Sequence, residues 1–281
     1  MRAKKTIWLI AMCCLCLTLY TVLLSRLEDR DSVILGGSSD VYVGLNQASY
    51  GNPDDLGTEE DDGLDWPDID ITLPQYTIVN ADNLLSSAYE PDIAMKEDGV
   101  NFEPIYGTRW QSFASEAKPY LDAMLEEMYN LGFTPYIASA YRTYSYQKQL
   151  FDGKASQFCL DLGITTDYTD PEYQLAVEAA KAVTAEPGAS EHQLGLAVDI
   201  YDCERYKVKY SDFDDEFKAW LEEHCAEYGF IQRYPTKKCL ITGWDEPWHY
   251  RYVGKEVATF IQQNGLAYEE FYAHYVEGFT Y

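Results

Sequence analysis

The chain has 281 residues, 24% of them charged and 47% hydrophobic, with 47 Asp or Glu against 21 Lys or Arg and a net charge of −26. So acidic a body repels phosphate backbones and anionic lipid surfaces, so no nucleic-acid role is expected. The length allows one large domain or two small ones, and the first quarter is not globular, which leaves one. Residues 6–24 form a nearly uncharged apolar run, preceded by Arg2, Lys4 and Lys5 and followed by Arg26, Glu28 and Asp29. At about 1.5 Å rise per residue such a run crosses a hydrocarbon core of about 30 Å. The basic residues ahead of it place the amino end in the cytoplasm and the rest of the chain outside.

A cleaved signal peptide is the rival reading of this segment. No small-x-small cleavage site follows, and Met12 is large where a lipid-attached cysteine at Cys13, Cys14 or Cys16 would need a small neighbour. We therefore expect residues 1–25 to be a cytoplasmic start and an uncleaved anchor. Residues 26–75 hold thirteen acidic residues against two arginines, with runs such as Glu59-Glu-Asp-Asp-Gly63 that bury little. They read as a solvated, flexible acidic tether.

The compact domain is expected over 76–281, opening on a strand at Tyr76-Thr-Ile-Val. Apolar residues Phe113, Ala117, Leu121, Met124, Met128 and Leu131 recur at helical spacing and predict a helix over 111–131, stopped by Gly132. A strand over 133–139 then carries the chain to a turn at Tyr141-Arg-Thr-Tyr144. Helices are predicted at 172–184, 214–228 and 255–263, and short strands at 196–201, 230–234 and 249–253. This pattern is an α+β domain, a small antiparallel sheet flanked by helices. Four cysteines, Cys159, Cys203, Cys225 and Cys239, fall in the exterior part. In an oxidising compartment they suggest two disulfides in any of three pairings, with buried free thiols as the alternative.

Two stretches carry chemistry: Ser190-Glu-His-Gln-Leu-Gly-Leu-Ala-Val-Asp199 and Glu246-Pro-Trp-His249. Together they offer two imidazoles, a carboxylate and a spare acid. A catalytic zinc site uses three such ligands and keeps its fourth position for water, and a second acid can take that water's proton. We assign His192, Asp199 and His249 as ligands of one Zn2+ and Glu246 as the base. Leu194, Leu196, Val198 and Ile200 alternate as the buried side of a strand, and strict alternation would put His192 and Asp199 on opposite faces. The chain must bend between them, at Gly195. The same parity problem separates Glu246 from His249, and Pro247 answers it by keeping Glu246 on a loop that enters the strand. His224, in a helical pattern, and His274, in an aromatic tail, are taken as structural. Arg142 follows a strand in an aromatic-rich turn. It is either a forked anchor for a peptide carboxylate or half of an internal ion pair.

Three stretches, Ser139-Ala-Tyr-Arg-Thr-Tyr-Ser-Tyr-Gln147, Pro187-Gly-Ala-Ser-Glu-His-Gln-Leu-Gly-Leu-Ala-Val-Asp199 and Glu246-Pro-Trp-His-Tyr-Arg-Tyr-Val-Gly254, resemble the VanY-type zinc D-alanyl-D-alanine carboxypeptidases. So does Tyr228-Gly-Phe-Ile-Gln-Arg-Tyr-Pro235. The resemblance spans about residues 76–264 and implies the Hedgehog/DD-peptidase fold. It implies zinc ligation by His192, Asp199 and His249, acid/base catalysis by Glu246, and carboxylate binding by Arg142, with Ser190 and Gln147 helping to hold substrate. It also implies peptidoglycan stem peptides or their precursors as substrates. An L,D-carboxypeptidase acting on tetrapeptide stems is the near alternative, and a non-catalytic zinc-containing wall-binding module the distant one.

Overall fold

In a computed structural model of the chain, the residues described are 63–94, 112–170, 172–202 and 213–281. The expected anchor at 6–24, the tether as far as residue 62, and Cys203 lie outside them. Among the described residues no helix is long and apolar enough to cross a membrane. The compact unit runs from Gly63 to Tyr281, so it takes in the last residues of the segment expected as tether. The reason is aromatic: the Trp66 ring stacks on His274 with centroids 3.8 Å apart, and Ile69 and Ile71 join the same cluster. Residues 76–79 are not a strand. A single 3-10 turn, Pro74–Tyr76, gives way to extended chain that buries Ile78 and Val79.

A two-residue ladder pairs β1 (Ile93–Ala94) with β2 (Phe113–Ala114). Helix α1 (Lys118–Asn130) therefore begins later than the apolar periodicity suggested, with Pro119 in its first turn, where a missing N–H costs nothing. Its inward face is Leu121, Met124, Leu125 and Met128, each at most 2% exposed. Burial of such a side chain is worth about 2 kcal/mol. Strand β3 (Pro135–Ser139) leads into α2 (Tyr144–Leu162), a helix absent from the sequence reading. Thr143 caps it by accepting from the Tyr146 amide at 3.2 Å, and Gly163 ends it in the left-handed region. Helix α3 (Tyr173–Lys181) packs back on α2 through Ala180 against Phe151 and Ala155.

Strand β4 (Ala197–Asp202) is followed by α4 (Asp215–His224), whose cap Asp214 accepts from the Glu216 and Phe217 amides. Then come β5 (Phe230–Tyr234), the single turn α5 (Cys239–Thr242), β6 (Glu246–Tyr252), α6 (Lys255–Asn264) and α7 (Tyr268–Tyr275). The four longer strands form one antiparallel sheet in the order β3-β4-β6-β5. The main core lies between this sheet and α1 and α4. A second cluster joins α6 and α7 to β5 and the Tyr76–Ile78 segment. The fold is α+β, as the element pattern implied.

The two-disulfide expectation is corrected. Among the described residues Cys159, Cys225 and Cys239 are free thiols. Cys225 sits in the main core, Cys159 is buried on α2, and Cys239 opens α5 half-buried, so the three belong to different parts of the packing. Burial pushes the Cys225 thiol up to about 12, against hydrogen bonds that favour the thiolate, and it behaves as a small core residue.

Candidate metal centre and active site

The centre is assembled by strand register. Asp199 on β4 stands directly opposite His249 on β6, the arrangement that brings two side chains together on one face of a sheet. His192 comes from outside the sheet. It lies in a 3-10 turn, Glu191–Leu194, that ends at Gly195 with φ +74°. That conformation suits glycine, and a Cβ there would also meet Ile93 Cδ1 at 2.8 Å. The bend expected at Gly195 is thus what swings His192 onto the face of Asp199. One ligand atom from each of His192, Asp199 and His249 lies within 4.8 Å of the others, and all three residues are buried.

The ring nitrogens are assigned by their partners. His192 Nδ1 lies 2.7 Å from the Ala140 carbonyl, which can only accept, so Nδ1 carries the proton and Nε2 keeps its lone pair, 3.3 Å from Asp199 Oδ2. Burial, and then the Arg142 charge, lower the His192 pKa to about 4 despite Asp199, so this imidazole is neutral. His249 sits between two carboxylates, Nδ1 at 3.1 Å from Asp199 Oδ1 and Nε2 at 3.3 Å from Glu191 Oε2. Burial works against its charge, but the hydrogen bonds to Asp199 and Glu191 outweigh it and lift His249 to about 9. Burial would raise the Asp199 carboxyl, yet His192 and His249 hold it far below the usual carboxylate range. Two imidazoles and one ionised carboxylate converging in a buried cluster form a donor set suited to zinc.

Glu246 is not in that cluster. Its Oε2 is 3.9 Å from His249 Nδ1, its side chain is 29% exposed, and burial, followed by the repulsion of Asp199, raises its pKa against the pull of His249. The loop expected around Pro247 is a strand instead. Glu246 pairs with Tyr234 and Tyr250 with Gln232, so β6 advances four positions where β5 advances two. This bulge interrupts the regular pairing between Glu246 and His249, and Gln232 Nε2 pins it by donating to the Pro247 carbonyl at 2.9 Å.

Arg142 follows β3 at the rim. Its Nε donates to Ser139 Oγ at 2.7 Å, Nη1 to Gln147 Oε1 at 3.2 Å and Nη2 to Asp199 Oδ2 at 3.1 Å. The internal ion pair is therefore present, with Asp199, and Arg142 also lines the cleft. Gln147 is 1% exposed and braced at its other end by Nε2 donating to the Ala185 carbonyl at 2.7 Å, so it orients the guanidinium. Ser190 is buried at the head of the His192 turn. Arg142, Gln147, Ser190, Glu246 and the three cluster residues line one cleft of about 300 Å3, which Leu150, Lys154, Trp244 and Trp248 also line. The sequence reading gave no role to those wall residues.

It also missed Glu191, which is 1% exposed although it adjoins His192 in the motif. Arg233 Nε donates to its Oε1 at 2.8 Å, and Arg251 Nη1 lies 3.1 Å from the same oxygen. Burial would raise the Glu191 carboxyl, but these two guanidiniums keep it well below the ordinary range. Arginines among the aromatic residues of strands β5 and β6 were the available signal, because buried cations require anionic partners.

A sequence model of the VanY family, described as D-alanyl-D-alanine carboxypeptidase, matches residues 111–255, just over half the chain. The chain belongs to the VanY family. Among its VanY-like relatives, a D-alanyl-D-alanine carboxypeptidase of Enterococcus faecalis is 34% identical over 195 residues, covering 69% of this chain and 64% of that protein. The chain thus spans just under two thirds of that relative. Two solved structures are similar. A vancomycin-resistance D,D-pentapeptidase VanY variant in complex with Zn(II) is 34% identical, with a TM-score of 0.55, over 71% of this chain and 99% of its own. The LdcB LD-carboxypeptidase is 31% identical, with a TM-score of 0.55, over 74% and 93%. The Zn(II) in the VanY relative agrees with the donor set of His192, Asp199 and His249.

Proposed function

We propose that the protein is a zinc carboxypeptidase that removes the terminal D-alanine from peptidoglycan stem peptides or their precursors. It is held to the cell membrane by residues 6–24, with its catalytic domain outside. The observation that carries this reading is the separation of roles in the cleft. Three side chains converge as ligands, while Glu246 stands beside them, partly buried and outside the ligand set.

When bound, zinc polarises the scissile carbonyl and acidifies a water molecule towards a pKa of about 7. Glu246 then takes a proton from the attacking water and delivers it to the leaving amine, so that the carbonyl carbon gains the water oxygen as the C–N bond breaks. Arg142, steadied by Ser139 and Gln147, offers its fork to the free carboxylate of the chain end and restricts cutting to the terminal residue. His192, Asp199 and His249 would hold the metal, with Glu246 Oε2 3.9 Å from His249 Nδ1 and outside the ligand set.

Release of D-alanine from muramyl pentapeptide by the purified protein, abolished by a chelator and restored by zinc, is the expected result. Glu246→Gln should bind zinc as before and lose turnover by several orders of magnitude. Substantial hydrolysis by that variant would overturn the assignment of the base. The likeness to an LD-carboxypeptidase favours a second reading, in which a tetrapeptide stem is the substrate. Mass spectrometry of products from both peptides separates the two.

A further inference from the structure

Beside the metal cluster lies a second, buried set of charges. Glu191, Arg233, Arg251 and Glu269 are each at most 3% exposed and comprise two anions and two cations. Arg233 is shared between two carboxylates. Its Nε donates to Glu191 Oε1 at 2.8 Å, while Nη1 and Nη2 donate to Glu269 at 3.0 and 2.6 Å. Arg251 adds its Nη1 at 3.1 Å from Glu191 Oε1 and is itself anchored by Nη2 donating to the Gln75 and Thr77 carbonyls. Both arginines thus crowd onto one oxygen of Glu191. The other oxygen, Oε2, is left facing His249 Nε2 at 3.3 Å.

We propose that Glu191 is a positioning residue for the metal centre. It takes the Nε2 proton of His249 as a hydrogen bond and so turns Nδ1 toward Asp199 and His192, and it is held in that pose by Arg233, which Glu269 clamps from α7. This rests on the zinc reading of the site. A carboxylate accepts and cannot donate, so once His249 has given up one proton the ring donates from Nε2 and keeps its lone pair on Nδ1, the nitrogen on the side of the cluster. Glu269 lies beyond residues 111–255, the stretch shared with the family model, so the last link of the clamp is supplied by this chain's C-terminal helix.

Glu191→Gln tests this with almost no change of volume. Arg233 and Arg251 present only donors, so the Gln carbonyl must face them and its NH2 must face His249 Nε2. That nitrogen would then have to accept, moving the ring proton to Nδ1 where the metal needs a lone pair. Zinc affinity, measured by chelator competition on protein shown to be folded by circular dichroism, is expected to fall about 10- to 100-fold. Glu269→Gln should weaken zinc a few-fold alone and add nothing once Glu191→Gln is present, because both act through one chain of contacts. If Glu191→Gln does not fold, the zinc-loaded wild type decides. Long-range 1H–15N spectra should show the His249 proton on Nε2, protected from exchange. Unchanged zinc affinity in folded Glu191→Gln, additive effects of the two substitutions, or a wild-type His249 without that Nε2 proton would each overturn the proposal. Failure of the wild type to bind zinc would instead overturn the function proposed above.

Discussion

Zinc uptake should release protons in a pattern fixed by the two histidines. His249, held at about 9 by Asp199 and Glu191 against its burial, carries a proton throughout the neutral range. His192, lowered to about 4, carries almost none above pH 5. Zinc must therefore displace one proton, from His249. At pH 7 the proton sits about two units below its pKa, a cost of about 2.7 kcal/mol, or about 100-fold in apparent zinc affinity. The metal binds the deprotonated ring, so affinity rises about tenfold per pH unit towards pH 9 and gains nothing more from His249 above it. Calorimetry in buffers of different ionisation enthalpy counts the protons. At about pH 5.5, below the range where a water on zinc ionises, we expect close to one proton per zinc, whereas two ordinary imidazoles of pKa about 6.5 would release close to two. A count near two, or near zero, would refute the assignment of charge to these rings.

Arg142→Lys keeps the charge but loses the fork, so kcat/KM on a peptide with a free carboxylate should fall about 10- to 100-fold. The preference for that substrate over its C-terminal amide should shrink in parallel; an unchanged preference would show that Arg142 does not read the chain end. Gly195→Ala adds a Cβ at φ +74° and 2.8 Å from Ile93 Cδ1. It should cost at least about 1–2 kcal/mol of stability, read from a denaturant midpoint, and weaken zinc by displacing His192. Wild-type stability and affinity in this variant would mean that the bend is not what places the ligand.

The ligands were legible in the sequence because their constraint is local: a buried alternating strand and a glycine where the alternation must break. Helix α2 was not. Its buried stripe is Gln147, Phe151, Ala155 and Cys159, one residue wide and only partly apolar, so no hydrophobic periodicity marks it. The same holds for α7, where three tyrosines and Phe271 spread over several faces hide which side is inward. Glu191 was hidden for another reason. Its partners Arg233 and Arg251 are distant in sequence, and the pairing exists only once β5 and β6 lie side by side.

The seat of Trp66 against His274 changes where this protein can be cut. A boundary drawn at residue 76 from composition alone would strip away the indole on which α7 rests, and α7 is the helix that bears Glu269. The last few residues before that boundary are then part of the scaffold of the candidate metal centre. A truncated version meant to be only the catalytic portion would start from a loosened back wall.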